Sequence, residues 1–586
     1  MKPQLERLIN LAIEMLQKQE ILPSQDLPEY RIEHSKDKKH GDFAINAALV
    51  FAKSSKKTPR ELATALQQAM PTSELISKTE IAGPGFINIY LSDTAQHSII
   101  KDIIRTRKSF GHTNFGANQK INIEFVSANP TGPLHVGHGR SAVYGDVCAN
   151  LLSAIGFSVH REYYVNDAGR QMDILATSVW LRYLELCGEK IVFPCNGYKG
   201  DYILEIARTL KNQQQQSLHH PVSEVYLDVP ADETSGGDKE IHIDSLIKKC
   251  QTLLGQSNYN LVHQLGLELI LNDIKNDLTD FGVHFDSWFK ESELYASGTV
   301  QRCLQLLQES HLTYQKDGHL WFKATHLGDE KDRVLVRKNG VPTYFCADIA
   351  NHVGKIERGA EKMIDIFGSD HHGYVARVKA ALNALHISSE KFSTLLVQFV
   401  VLYRGNIKQS MSTRSGEFIT LRALRKEVGN DAARLFYIMR KAEQHLEFDL
   451  ELAKRKSNEN PVYYLQYAHA RICSVMRQAE EKNIAYDQKL GLESLNLLLE
   501  PQEKNCICLL AKYPDTLHTA AIKHDPHLLV TYLRELANAF HSYYNAHQFL
   551  VTHLETRCAR LALVNAIRQV MVNGLELLGI TAPEIM

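Results

Sequence analysis

Apolar residues recur at helical spacing from the first positions of the chain. Leu5, Leu8, Ile9, Ala12, Ile13 and Leu16 share one face with charges between them, an amphipathic stripe rather than the unbroken apolar core of a signal peptide. Pro59 to Met70 repeats the helical pattern, and Phe86 to Leu91, after Gly83-Pro84-Gly85, has the apolar and β-branched character of a strand. Together they predict a compact α+β unit up to about residue 112. From Lys120 to Ser127 apolar and polar residues alternate, as in a half-buried strand. A Pro- and Gly-rich loop, Ala128 to Gly139, follows, and then a helix from Arg140 to Ile155 with Val143, Val147, Leu151 and Ile155 on one face and Gly156 as its stop. Strand, glycine-bearing loop and helix make the opening unit of an α/β sheet.

Periodicity is weak from Gln213 to Asp244, where a glutamine run, His219-His220, prolines, glycines and acids alternate; the stretch reads as a surface insertion. Thr343 to Val353 and Met363 to Phe367 resume the sheet pattern, and Gly368 to Leu385 reads as a second loop feeding a helix. From about Leu421 helical periodicity dominates, with Pro501 at a first helical position and Pro514 as a stop. The final third is therefore expected to be a helical domain, and no internal repeat is visible.

Length changes the picture by setting a scale: 586 residues predict about four domains. No run of 18 apolar residues occurs, so no membrane-spanning helix is expected. Lys plus Arg number 66 against 67 for Asp plus Glu, so contact with a polyanion would have to come from local basic faces. Ten cysteines are scattered without a Cys-x-x-Cys pair, which favours neither a zinc ribbon nor a disulfide framework. Reduced thiols fit a cytoplasmic location, and Cys506-Ile507-Cys508 reads as a pair of small buried hydrophobes.

The chemistry concentrates in Ala128-Asn129-Pro130-Thr131-Gly132-Pro133-Leu134-His135-Val136-Gly137-His138. Two histidines three apart at the mouth of a helix put donors and backbone N–H groups where a polyphosphate is held, and Gly137 lets a nucleotide approach the backbone. The alternative is a capping turn with incidental histidines. The whole phrase resembles the signature of class I aminoacyl-tRNA synthetases, and Ser127 to His138 with its flanks resembles the arginyl-tRNA synthetase family. The resemblance continues through Tyr163 to Gln171, Val334 to Arg337, Pro342 to Ala350, Gly368 to Tyr374, Asn460 to Arg471 and Asn573 to Leu575.

The resemblance implies an α/β fold: a Rossmann-like catalytic core over 113–400 with the insertion near 213–244, preceded by an α+β tRNA-contacting domain over 1–112. A loop and connecting helical region over 401–456 and a helical anticodon-binding domain over 457–586 would follow. It implies attachment of L-arginine to tRNA(Arg) through an arginyl-adenylate, with ATP as substrate accompanied by Mg²⁺, no tightly bound cofactor, no protein metal site, no membrane association and a monomeric chain. His135, His138, Ser412 and Arg414 would be catalytic. Thr131, Gly132, Pro133, Gly137, His372 and Met411 would join the histidines around ATP. Glu124, Ser127, Asn129, Tyr344, Asp348 and His371 would hold arginine, since a guanidinium calls for planar carboxylate partners and an aromatic face. For Glu124 a solvent-facing strand position, for Tyr344 a core aromatic, and for His371 and His372 helix capping are the other readings.

One stretch departs from the class pattern. At Ser410-Met411-Ser412-Thr413-Arg414, where class I enzymes often carry Lys-Met-Ser-Lys, both lysines are missing. Arg414, Lys408 or Lys120 would then have to offset charge on the departing pyrophosphate. The same departure would permit a catalytically silent tRNA-binding protein, against which the intact His135, Gly137, His138 and Asp348 argue. A small-molecule nucleotidyltransferase would leave the helical final third unexplained. Lys454-Arg455-Lys456 is either a solvated charge run or part of an RNA face, and Tyr463, Tyr464 and Tyr467 either stack on bases or pack between helices.

Overall fold

The computed structural model describes residues 2–24, 27–35, 38–369, 373–405, 407–409 and 419–586. The N-terminal unit is α+β, as its pattern predicts. Strands β1 (Ile32–His34), β2 (Phe43–Ile45), β3 (Ile76–Ala82) and β4 (Phe86–Leu91) form an antiparallel sheet in the order β1-β2-β4-β3. Helices Lys2–Lys18, Ala47–Ser55 and Pro59–Ala69 accompany it, and Leu5, Ile9, Phe51, Leu62 and Ile89 are buried in a shared core. The last of these helices starts on a capping box between Thr58 and Glu61, which satisfies two otherwise orphaned N–H groups.

The middle of the chain holds a five-stranded, all-parallel sheet. Its strands are β5 (Lys120–Phe125), β6 (Ser158–Val165) and β7 (Ser287–Lys290), followed, after a small antiparallel sheet of β8 (Thr313–Lys316), β9 (His319–Phe322) and β10 (Arg333–Val336), by β11 (Lys362–Gly368) and β12 (Phe392–Val397). The order β12-β11-β5-β6-β7 makes the chain wind outward in both directions from β5. The carboxyl ends of β5 and β11 therefore flank the switch point where α/β sheets open a binding crevice. β5 is not half-buried: Ile121, Asn122, Ile123, Glu124 and Phe125 are all buried. A central parallel strand is covered on both faces, so the alternating polar residues Asn122 and Glu124 point into protein, not water.

Four other expectations change. The helix after β5 runs Val136–Ala154, beginning four residues before Arg140, and ends ahead of Gly156 (φ +94°). Thr343 to Val353 is not sheet: Tyr344–Glu357 is a helix, because Phe345, Ile349 and Val353 are as well spaced for one buried helical stripe as for a buried strand. Residues 213–244 are not a detached surface insertion. Leu218 and Val225 are fully buried, Trp180 Nε1 donates to the Leu218 carbonyl at 3.0 Å, and the Asp232 carboxylate accepts from Cys195 N–H at 2.7 Å; these few anchors lie too far apart to register as periodicity. Finally, Pro514 does not stop its helix, which runs Pro501–Ile522. The lost N–H bond is outweighed by burial of Tyr513 and Leu517 on either side of the proline.

Strand structure also persists past Leu421. β13 (Val400–Arg404), β14 (Ile407–Lys408) and β15 (Leu446–Asp449) form a small sheet in the order β14-β13-β15. Beyond it the chain is helical, with Pro461–Glu481, Pro501–Ile522, His527–Ala546 and Leu554–Leu577 as the main helices. Arg434, 1% exposed, ties this part to the core by donating to the carbonyls of Phe281 and Leu578, each at 3.0 Å, and to Asp146 at 2.5 Å. Tyr464 and Tyr467 pack against His541 of the facing helix, with ring centroids 4.8 and 5.7 Å away, and Tyr467 stacks on Tyr463. Lys454 and Arg455 are paired with Glu427, Glu451 and Glu459, which neutralises much of that basic run.

Candidate active site

At the carboxyl end of β5 the backbone turns through two left-handed residues, Val126 (φ +68°) and Ser127 (φ +39°). For a β-branched residue this conformation is unfavourable by roughly 1–3 kcal/mol, and such strain collects at functional sites. Ser127 Oγ fixes the turn by accepting the Tyr164 N–H at 3.0 Å. The following loop is held by Tyr163, whose hydroxyl donates to the Ala128 carbonyl at 2.9 Å, and by Tyr202, which donates to Thr131 at 2.8 Å. Gly132 lies against the same Tyr202: a Cβ there would approach the hydroxyl to 3.0 Å.

The loop delivers His135 as the N-cap of helix Val136–Ala154. His135 Nδ1 accepts the Gly137 N–H at 3.1 Å, His138 Nδ1 accepts the His135 N–H at 3.2 Å, and the two rings stack 3.6 Å apart. Both rings cap the helix through Nδ1. With both Nδ1 atoms accepting, each ring carries its proton on Nε2. Burial lowers the pKa of both histidines, His138 to about 3, so near pH 7 they are neutral N–H donors at the positive end of a helix dipole. Residues 419–421 pair directly with this turn: Val136 N–H donates to Ile419 at 3.2 Å and Leu421 N–H to Leu134 at 2.8 Å. Behind it, Arg140 donates to the carbonyls of Gln398, Gln444 and Lys441, each at 2.8 Å, and Tyr437 hydroxyl to Val136 at 2.7 Å.

Tyr344 and Asp348 stand one turn apart on helix Tyr344–Glu357. Tyr344 is not a core aromatic; it is 53% exposed, and its hydroxyl stands over Gly169, where a Cβ would come within 2.9 Å. Asp348 is half-buried, and burial pushes its carboxyl up to about 7 against the favourable charge of His352. Close to it lies a residue the sequence did not single out. Glu291, 3% exposed, is also pushed up to about 7, by burial and by Asp348. Tyr164, whose own pKa is raised by burial and by these acids, shares the recess. The Asn166 amide nitrogen, in the orientation that satisfies its neighbours, donates to Glu291 at 2.9 Å. Two destabilised carboxylates beside tyrosines are groups that a planar cation would neutralise. Glu291 lies in an ordinary Glu-Ser-Glu stretch far along the chain from Asp348; only the raised acid in a cleft marks it.

Other expected residues fall differently. Glu124 is not solvent-facing; its carboxylate accepts from Lys355 Nζ at 2.6 Å and Asn351 at 3.3 Å beneath helix Tyr344–Glu357, and its charge acts on both Asp348 and Tyr164. Asn129 is exposed at the mouth and donates to Gln171 at 2.8 Å. Lys120 starts β5, at the opposite end of a strand about 17 Å long, so it does not reach the phosphate turn and is withdrawn as the compensating cation. Lys408 lies exposed on β14, two residues before position 410. His371, His372, Met411, Ser412 and Arg414 lie outside the described residues.

Known proteins resemble this chain along its whole length. The family profile described as arginyl tRNA synthetase N terminal domain matches residues 3–91, tRNA synthetases class I (R), catalytic domain, matches 100–187 and 205–470, and DALR anticodon binding domain matches 465–586. The arginine–tRNA ligases of Thioalkalivibrio sulfidiphilus and of Legionella pneumophila strain Corby are each 53% identical over the full length of both chains. Among solved structures, a putative arginyl-tRNA synthetase from Campylobacter jejuni superposes with a TM-score of 0.73 at 29% identity, covering 85% of this chain and all of that one. The Thermus thermophilus arginyl-tRNA synthetase shares the fold, with a TM-score of 0.73 at 22% identity over 98% of this chain and 99% of that one. Full-length identity and three matching domains agree: the chain belongs to the arginyl-tRNA synthetase family of class I aminoacyl-tRNA synthetases.

Proposed function

We propose that this chain esterifies tRNA(Arg) with L-arginine in two steps at the crevice between β5 and β11. The observation that carries the reading is the meeting of half-buried Asp348 and buried Glu291 in one recess with Tyr164, where both carboxyls are pushed up to about 7. A guanidinium offers five donors in a rigid fork and neutralises both acids. Tyr344 would cover its face, and Asn129 and Ser127 would hold the α-ammonium and carboxylate. In the first step a carboxylate oxygen of arginine attacks the α-phosphorus of ATP; the new P–O bond forms as the bond to pyrophosphate breaks. The Nε2–H groups of His135 and His138 and the helix N–H groups donate to the phosphoryl oxygens as charge builds there. In the second step the 2′-hydroxyl of the terminal ribose attacks the adenylate carbonyl and AMP leaves.

Among the described residues no three His, Cys, Asp or Glu side chains converge as a metal site. Mg²⁺ would arrive with ATP and be held by phosphates and water, and no tightly bound cofactor is invoked. The division into 1–112, 113–400, 401–456 and 457–586 assigns tRNA contact to the first and last units and chemistry to the second. The reading takes the chain as a monomer working in the cytoplasm; among the described residues no helix is long and apolar enough to cross a membrane.

An aminoacylation assay with all twenty amino acids and bulk tRNA tests the reading. Arginine is expected to be charged and lysine only poorly, because a point-charge ammonium lacks the five-donor planar fork that can engage both carboxylates at once. Equal charging of the two would overturn the assignment.

Arginine activation is also expected to require bound tRNA. With neither usual lysine between 410 and 414, and Lys408 and Arg414 as the remaining cations, RNA binding energy would assemble the competent ATP site. ATP–pyrophosphate exchange should be negligible without cognate tRNA and appear on its addition. Full exchange in RNA-free protein would reject the dependence and leave the amino-acid assignment intact.

A further inference from the structure

We propose that His352 is a positioning residue for arginine selection: a buried imidazolium, one helical turn beyond Asp348, that keeps the Asp348 carboxylate ionised and aimed at the guanidinium. The proposal rests on the reading of Asp348 as a guanidinium partner. His352 is 1% exposed, and each ring nitrogen faces an oxygen that has no proton to give. Nδ1 lies 2.7 Å from the Asp348 backbone carbonyl, and Nε2 lies 2.8 Å from Asp365 Oδ2. The other Asp365 oxygen accepts from Lys355 Nζ at 2.8 Å, which keeps that carboxylate ionised. A neutral ring would set a lone pair against one of these two oxygens in a dry site, an arrangement that buried polar groups avoid. Both nitrogens therefore carry hydrogen.

Charge bookkeeping agrees. Around His352 stand Lys355 on its own helix, Asp365 from β11 and Glu124 from β5, with the Phe392 ring of β12 edge-on at 4.9 Å. Burial raises the Glu124 carboxyl, so the negative charge that favours the imidazolium is that of Asp365, which His352 and Lys355 share. Asp365 overrides the opposing effect of burial and holds the His352 pKa above its ordinary value. Asp348 itself faces Glu291, Glu124, Asp365 and the hydroxyl of Tyr374, and among the described residues His352 is the group of opposite charge that counters its burial. The same imidazolium that favours the charged carboxylate also grips the carbonyl of its turn, so charge and aim are set together.

His352→Gln keeps a donor and removes the charge. It is expected to raise the arginine KM at pH 7 about fivefold, because a rise of one pKa unit from about 7 takes the ionised share of Asp348 from about a half to about a tenth, with the ATP KM unchanged. It should also move the acidic limb of kcat/KM for arginine upward by about one pH unit. Asp348→Asn, measured alongside, should raise the arginine KM and remove the share of that limb that Asp348 carries, leaving the share of Glu291. A limb that stays in place in His352→Gln, or an equal rise in both Michaelis constants, would reduce His352 to packing while leaving Asp348 as guanidinium partner. An arginine KM untouched in Asp348→Asn would instead overturn the reading beneath the proposal. Independently of any variant, ¹⁵N-histidine NMR of the wild-type protein should show one buried ring still protonated at both nitrogens above the pH at which an ordinary imidazole loses its proton; only neutral buried rings would reject the proposal.

Discussion

His138→Ala is expected to slow arginyl-adenylate formation by roughly ten- to a thousandfold, the range for loss of one preorganised donor to a charge-developing transition state. His138 contributes its Nε2–H while its Nδ1 accepts the His135 N–H, so the substitution removes both a catalytic donor and half of a capping box. The second loss should lower stability by about 1 kcal/mol, too little to empty the folded state. Single-turnover activation at saturating tRNA, ATP and arginine reads the first effect, and thermal unfolding reads the second. His135→Ala should act the same way through the Gly137 N–H. Full-rate activation with only a lowered unfolding midpoint would mean that these histidines cap the helix and do nothing for ATP. Because His138 is already neutral, with a pKa near 3, its titration should not produce an acidic limb near neutrality.

Asp348→Asn should weaken arginine selectively. A neutral amide leaves the guanidinium without its charged partner, a loss of about 2–3 kcal/mol, or roughly 30- to 150-fold in the arginine KM. The ATP KM should hold. The empty protein should move the other way. Asp348 has a folded pKa raised to about 7 by burial, so its ionised form destabilises the empty fold fully above that pH. This penalty fades as pH falls toward the ordinary carboxylate value. The amide of the variant carries no such charge, and its midpoint at pH 8 should match or exceed that of wild type. Steady-state kinetics with each substrate varied, together with thermal scans, separate this exchange of stability for binding from a general defect. Equal rises in both constants with a lower midpoint would indicate misfolding. Glu291→Gln should follow the same pattern, since burial and Asp348 raise its acid for the same reason.

Local chemistry was legible along the chain. The helix of residues 2–18, the capped helix after Thr58, strand β4 and the phosphate turn at His135 are each set by neighbours within a few residues, so spacing and capping residues report them. The histidine pair, Tyr344 and Asp348 could likewise be named from short motifs. What the sequence alone could not decide depends on which surfaces meet. An alternating strand looks half-solvated until helices cover both its faces, which is why Glu124 turns out to be paired with Lys355 beneath the recess. A buried stripe at 345, 349 and 353 fits strand or helix until its packing partners are known. Lys120 is close to the signature in sequence, but strand direction carries it to the far end of the sheet. Glu291 joins Asp348 only because β7 and helix Tyr344–Glu357 end at one crevice, and His352 becomes an imidazolium only where β11 supplies Asp365. Spacing and capping are short-range and are written in the sequence; burial, charge state and the pairing of distant acids are properties of the assembled interior.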